Sequence, residues 1–158
     1  MATGGFETRL HATAVCLGPR AALLRGPSGA GKSDLALRCL ALSPQGPWGG
    51  SFDLVADDQV LVRKAGPHLE LAPPERLAGL LEVRGLGIVR LTHRAPVALA
   101  LLVDLVKPAE IDRFPDPWPT EDLLGLRIPI FRVDAADLSA PAKVALALAQ
   151  QVWQAPSP

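Results

Sequence analysis

The chain has 158 residues, 49% of them hydrophobic, with 14 glycines, 16 prolines and an even balance of 16 basic and 16 acidic side chains. That length and apolar share fit one domain with a substantial core and many turns, and exclude an intrinsically disordered chain. The balanced charge removes the usual electrostatic reason for a nucleic-acid or anionic-membrane partner, so neither is expected. No apolar run is long enough to cross a bilayer, and residues 1–9 lack the basic-then-hydrophobic order of a signal peptide. A cytoplasmic location is therefore expected. Cys16 and Cys39 stand among apolar residues with no metal-ligand or disulfide spacing, and read as buried free thiols.

In chain order, residues 1–10 read as a flexible lead-in. Thr13–Leu17 and residues 21–25 are short apolar stretches separated by Gly18-Pro19, a turn signal, and are expected as consecutive strands. Leu35, Cys39 and Leu42 then recur at helical spacing until Pro44 and the Gly-Pro-Trp-Gly-Gly run stop the helix. Phe52–Ala56 reads as a buried strand ending at Asp57-Asp58. Further strands are expected over 59–63, 69–71, 87–91, 97–106 and 128–133. Residues 75–84 carry a mixed pattern that assigns no element, and 108–125, rich in Pro, Asp and Glu, read as a surface excursion. A last helix is expected from Ser139, with Pro141 tolerated in its first turn and Val144, Leu148 and Val152 on one face.

Gly26-Pro27-Ser28-Gly29-Ala30-Gly31-Lys32-Ser33 fits the pattern G-x-x-x-x-G-K-S between a strand and an amphipathic helix. Glycines permit a tight loop with inward-pointing amides, and the following helix presents its positive end to a phosphate. Lys32 is expected to reach the β- and γ-phosphates, and the Ser33 hydroxyl to ligate magnesium. The cofactors expected on this basis are ATP and Mg2+.

Asp57 and Asp58 lie where a strand ends, the edge at which open α/β sheets place ligands. Adjacent carboxylates on an extended backbone point in different directions, so one can address magnesium and the other an acceptor hydroxyl. Their competing reading is a solvated turn before Gln59. Glu82, in Leu81-Glu82-Val83-Arg84-Gly85-Leu86-Gly87-Ile88, reads equally as an exposed carboxylate beside Arg84. His11 stays open between a surface residue, a packed imidazole and a partner to a general base. His68 and His93 have no companions that suggest a site.

Together these segments resemble the catalytic domain of bacterial HPr kinase/phosphorylase. The resemblance rests on His11-Ala12-Thr13-Ala14-Val15, Gly26 to Ser33, Leu54-Val55-Ala56-Asp57-Asp58 and the segment from Leu81 to Ile88. Weaker echoes stand at Asp112-Arg113 and Ile128-Pro129. It implies an α/β, P-loop kinase-like domain over residues 11–153, with a mixed central sheet, flanking helices and a flexible tail at 154–158. It also implies ATP-dependent phosphorylation of a serine in HPr or a related small phosphocarrier protein. In that reading Asp57 or Asp58 accepts the serine proton with His11 in support, Lys32 stabilises phosphate charge, and Ser33 and Glu82 hold magnesium. A hexamer is the assembly the resemblance suggests.

Two departures qualify it. The family's additional N-terminal domain has no counterpart in the ten residues before His11, which suggests a short form. The family's loop resembling P-V-R-P-G-R-N reads Ile128-Pro129-Ile130-Phe131-Arg132-Val133-Asp134-Ala135 here, retaining at most Arg132 as a catalytic arginine. Weak or lost phosphorylase activity is therefore expected. The alternatives are a P-loop kinase for another protein or small-molecule acceptor, and a regulatory nucleotide-binding module with little turnover.

Overall fold

A computed structural model describes residues 7–149. The strands are β1 (Glu7–Leu10), β2 (Thr13–Leu17), β3 (Arg20–Arg25), β4 (Phe52–Ala56), β5 (Val60–Ala65), β6 (His68–Ala72), β7 (Leu80–Val83), β8 (Gly87–Arg90), β9 (Val97–Leu105), β10 (Thr120–Leu123) and β11 (Leu126–Val133). The helices are α1 (Lys32–Leu40) and α2 (Ala140–Leu148). Nine strands share one mixed sheet in which β1, β5, β6, β9, β3, β2 and β4 are successive neighbours, and β11 joins β9 and carries β10. β7 and β8 form a separate hairpin. No helix among the described residues is long and apolar enough to cross a membrane.

Two apolar layers explain why the central strands are apolar at nearly every position. Ala14, Cys16, Ala21 and Leu23 face one core, and Val15, Leu17, Ala22 and Leu24 face the other. A strand covered on both faces loses the polar alternation of a half-exposed one. The first core is enclosed as the sheet curls into a half-barrel, with Val60, Val62, Leu69 and Leu71 on one side and Ile128 and Ile130 on the other. The second lies under both helices, through Leu35, Ala36 and Cys39 of α1 and Val144, Ala145 and Leu148 of α2. In β9, Leu99 faces the first core but Leu101 faces the second. The pairing with β3 skips Ala100, and this bulge flips the strand by one residue.

β3, β9 and β11 run parallel, whereas β2 turns back antiparallel on β3 through Gly18. The carboxyl ends of the three parallel strands lead into residues 26–31, the excursion after residue 105, and residues 134–139. Parallel strands whose ends share an edge leave there the crevice that α/β proteins use for ligands.

Most expected elements are present with shifted ends. Residues 7–10, expected in the lead-in, instead form β1 and pair with β5 from Glu7 opposite Arg63 to Leu10 opposite Val60. Residues 75–84 hold a 3-10 turn, Glu75–Leu77, and then β7. The excursion is less irregular than its composition suggests, because Thr120–Leu123 hairpins back onto β11. Ser139 occupies the N-cap position of α2 but makes no side-chain cap, because its hydroxyl donates to Asp137. Val152 and the tail at 154–158 lie outside the described residues.

Cys16 and Cys39 are buried and free, as expected. Burial, with Asp53 nearby, pushes the Cys16 thiol from 9.0 up to about 11. Burial pushes Cys39 from 9.0 up to about 12. Raised folded-state values mean that the unfolded chain ionises first. The stability this contributes is fully present below pH 9 and is lost as pH rises towards these higher values. At pH 7.5 the folded protein is expected to leave a thiol reagent such as DTNB nearly unreacted, with both thiols released on adding denaturant. Rapid labelling of the folded protein would contradict this packing.

Candidate active site

The loop between β3 and α1, together with the head of that helix, holds the G-x-x-x-x-G-K-S sequence of residues 26–33. Gly31 ends it with φ 100°, a left-handed conformation that favours glycine, and the helix begins at the next residue. A side chain at Gly29 would meet nothing within 4 Å, so the loop is open above that residue. Lys32 is only 7% exposed, and its ammonium donates to the carbonyls of Gly26 at 2.6 Å and Pro27 at 3.1 Å. The cation thus folds over its own loop. Asp34 in the first turn of α1 and Arg38 in the last complement the helix dipole and pair with each other at 3.0 Å.

Asp57 and Asp58 follow β4 and point into different surroundings. Asp57 is 5% exposed and accepts three hydrogen bonds: Ser33 Oγ at 2.7 Å, Thr13 Oγ1 at 2.8 Å and the Glu82 amide at 3.1 Å. A buried carboxylate needs such donors to offset its lost hydration. These bonds tie the head of α1, β2 and the β7–β8 hairpin to one carboxylate. Asp58 turns outward, with its side chain 61% exposed and 3.0 Å from Nε2 of His11. Its φ of 67° and the 2.7 Å bond from the Gln59 amide to the Asp57 carbonyl define a tight three-residue turn. A non-glycine residue held at positive φ marks stored backbone strain, which commonly persists at functional sites. A register shift between β2 and β4 beside Ala14 bends the chain just before this turn.

Hydrogen bonds thus join Ser33 and the Glu82 amide to Asp57 and His11 to Asp58, while Lys32 precedes Ser33 at the head of α1. Glu82 joins through its backbone, while its side chain is exposed. Arg132 is exposed near the end of β11, and no hydrogen bond among the described residues joins it to the aspartates. It stands opposite Asp104, which stands opposite Arg25, in one row across the three parallel strands.

Three participants escaped the sequence reading. Thr13 is 1% exposed and bound to Asp57; the available signal was a hydroxyl in an apolar strand two residues after His11. Arg25, just before the loop, makes a two-point pair with Asp104 at 2.7 and 3.0 Å and a 2.6 Å bond to Glu121. Burial opposes the charge on Arg25, but bonds to Asp104 and Glu121 outweigh it and hold the guanidinium protonated. Arg38 of α1 donates to the carbonyls of Ala135 and Asp137, fastening the turn after β11 against the loop-bearing helix. Such long-range partners have no local sequence signature.

Residues 5–153 match the family model for the HPr serine kinase C-terminal domain. The chain is 38% identical over 116 residues to the HPr kinase/phosphorylase of Burkholderia cenocepacia, covering 67% of this chain and 34% of that protein. It is 36% identical over 129 residues to that of Burkholderia lata, covering 75% and 38%. The corresponding protein of Bordetella avium is 36% identical over 117 residues, covering 67% and 35%. The chain thus spans about a third of the length of these relatives. The structure of the Hpr(Ser) kinase/phosphatase from Coxiella burnetii superposes with a TM-score of 0.72, covering 91% of this chain and 95% of that one at 21% identity. That likeness supports the fold, and the match along nearly the whole chain places this protein in the HPr serine kinase C-terminal domain family.

Proposed function

We propose that the chain is a magnesium- and ATP-dependent protein serine kinase, with an HPr-like phosphocarrier as acceptor. The observation that carries this reading is the contrast in surroundings between the two aspartates. Asp57 is buried and fastened to Ser33 of the phosphate-type loop, whereas Asp58 faces outward beside His11. The residues fit a magnesium triphosphate: the loop is open above Gly29, Lys32 is the cation within it, and the Ser33 hydroxyl adjoins a buried carboxylate. Ser33, Asp57 and Glu82 would hold the metal, whose nucleotide supplies the phosphoryl group.

The remaining roles belong to this chain's own groups. Lys32 exchanges its loop carbonyls for phosphate oxygens and stabilises charge there. Asp58 accepts the proton of the acceptor serine, and His11 orients its carboxylate through the 3.0 Å contact. Thr13 holds Asp57 in place. Arg132, in the row with Arg25 and Asp104, offers positive charge from the side of β11. Self-association belongs to the same proposal, supported by Leu86 and Ile88, which are 74% and 70% exposed on the β7–β8 hairpin. The test is incubation with magnesium ATP and phosphocarrier proteins, followed by mass spectrometry. New phosphate on one serine is expected, whereas an unmodified acceptor would remove this assignment.

The turn after β11 bears on direction. Residues 134–137 read Asp-Ala-Ala-Asp, and Arg38, which reaches this turn, spends its donors on backbone carbonyls and Asp34. Lys143, with the amide and hydroxyl of Ser139, draws the Asp137 carboxyl from 3.8 down to about 2, so it is an anion at neutral pH. Phosphorolysis requires phosphate and phosphoserine side by side, and negative charge here opposes that encounter. With phosphoserine acceptor, magnesium and excess phosphate, pyrophosphate release is expected to be far slower than forward transfer. Comparable rates would mean that other cations replace the family's loop arginines.

A further inference from the structure

Residues 111–119 arch over the end of β11 and enclose an open hollow of about 1070 Å³, at the upper end of the size range of small-molecule sites. We infer that this hollow receives the nucleoside end of the triphosphate, an extension that rests on the phosphate-binding role proposed for residues 26–33. Position is the first support. Asp134 lines the hollow, and its neighbour Ala135 abuts the loop, since a methyl placed on Gly31 would lie 3.4 Å from the Ala135 Cβ. Consecutive residues of one turn thus border the two sites. The loop leaves β3 and the hollow borders β11, two strand spacings away, roughly 10 Å. An extended α-phosphate, ribose and base cover such a span.

The lining chemistry is the second support. Trp118 stacks on Phe131 with ring centroids 5.9 Å apart, and both rings pack partly into the helix-side core, giving a fixed aromatic platform. Phe114 is 79% exposed, with the Arg113 guanidinium 5.3 Å from its ring centre. Base stacking on such rings needs only a π face and a nearby cation. Three carboxylates, Asp112, Asp116 and Asp134, stand against three cations, Arg113, Arg132 and Lys143. Balanced charge suits a neutral group rich in donors and acceptors better than a further phosphate. The carboxylates can accept from ribose hydroxyls and an exocyclic amine.

The test compares magnesium ATP with magnesium tripolyphosphate, which has the same phosphate chain and no nucleoside. Titration calorimetry on the whole chain is expected to show tighter binding of ATP. Phe114→Ala, at an exposed position that leaves the core intact, should weaken ATP binding about tenfold and leave tripolyphosphate unchanged. As a second readout, ATP but not tripolyphosphate should quench emission that Trp118→Phe removes. If Phe114→Ala leaves ATP affinity unchanged, or weakens both ligands equally, and no Trp118 quenching occurs, the hollow is not the nucleoside site. If the unaltered protein binds neither ligand, the phosphate reading of the loop falls, and this inference with it.

Discussion

Asp58→Asn is expected to lower phosphoryl transfer at saturating nucleotide by about 10²–10⁴-fold, the usual contribution of a positioned general base. The substitution keeps the size and hydrogen-bonding reach of the side chain but removes its basicity. Because the Asp58 side chain is 61% exposed and outside the core, the fold and nucleotide affinity should be nearly unchanged. His11→Ala should act in the same direction by a smaller factor, since it removes a partner and leaves the carboxylate. Rapid quench with labelled ATP separates transfer from product release. Full activity in Asp58→Asn would move the base elsewhere.

Lys32→Ala should have the other large effect, on the order of 10²–10³-fold in kcat/KM for ATP. The ammonium already sits over the loop on the carbonyls of Gly26 and Pro27, so substitution deletes the cation at the point where phosphate charge would collect. Lys32→Arg should rescue little, because a planar fork does not fit a pocket that holds the lysine at 7% exposure. A thermal melt within a few degrees of the unaltered protein would show that the loss is not unfolding. Kinetics unchanged across a magnesium titration would remove the loop from catalysis.

Local signals account for what the residues disclosed in advance. The β3–loop–α1 unit was legible because its strand, glycines and helical spacing are contiguous from residue 21 to 42. The Asp57-Asp58 pair was visible as a strand end with two differently directed carboxylates, but which of the two is buried and which exposed was not. That difference depends on Thr13, Ser33 and the Glu82 amide converging from three other elements on one carboxylate. β1 was missed because Glu7–Leu10 alternates between exposed and half-buried positions at the sheet edge and lacks an apolar run. β10 was hidden within an acidic, proline-rich stretch whose register comes from β11 rather than from its own propensity. The bulge at Ala100 and the row from Arg25 through Asp104 to Arg132 are likewise properties of strand pairing.

The central claim is that one aspartate anchors the magnesium site while its neighbour handles the acceptor proton. It is tested most directly by measuring magnesium-dependent ATP affinity and single-turnover transfer on the same preparations of Asp57→Asn and Asp58→Asn. The account predicts that Asp58→Asn retains ATP affinity and its magnesium dependence while transfer collapses. Asp57→Asn should lose the magnesium dependence of ATP binding itself, as Ser33→Ala should in milder form. The reverse pattern, with metal-dependent binding lost in Asp58→Asn and kept in Asp57→Asn, would contradict it.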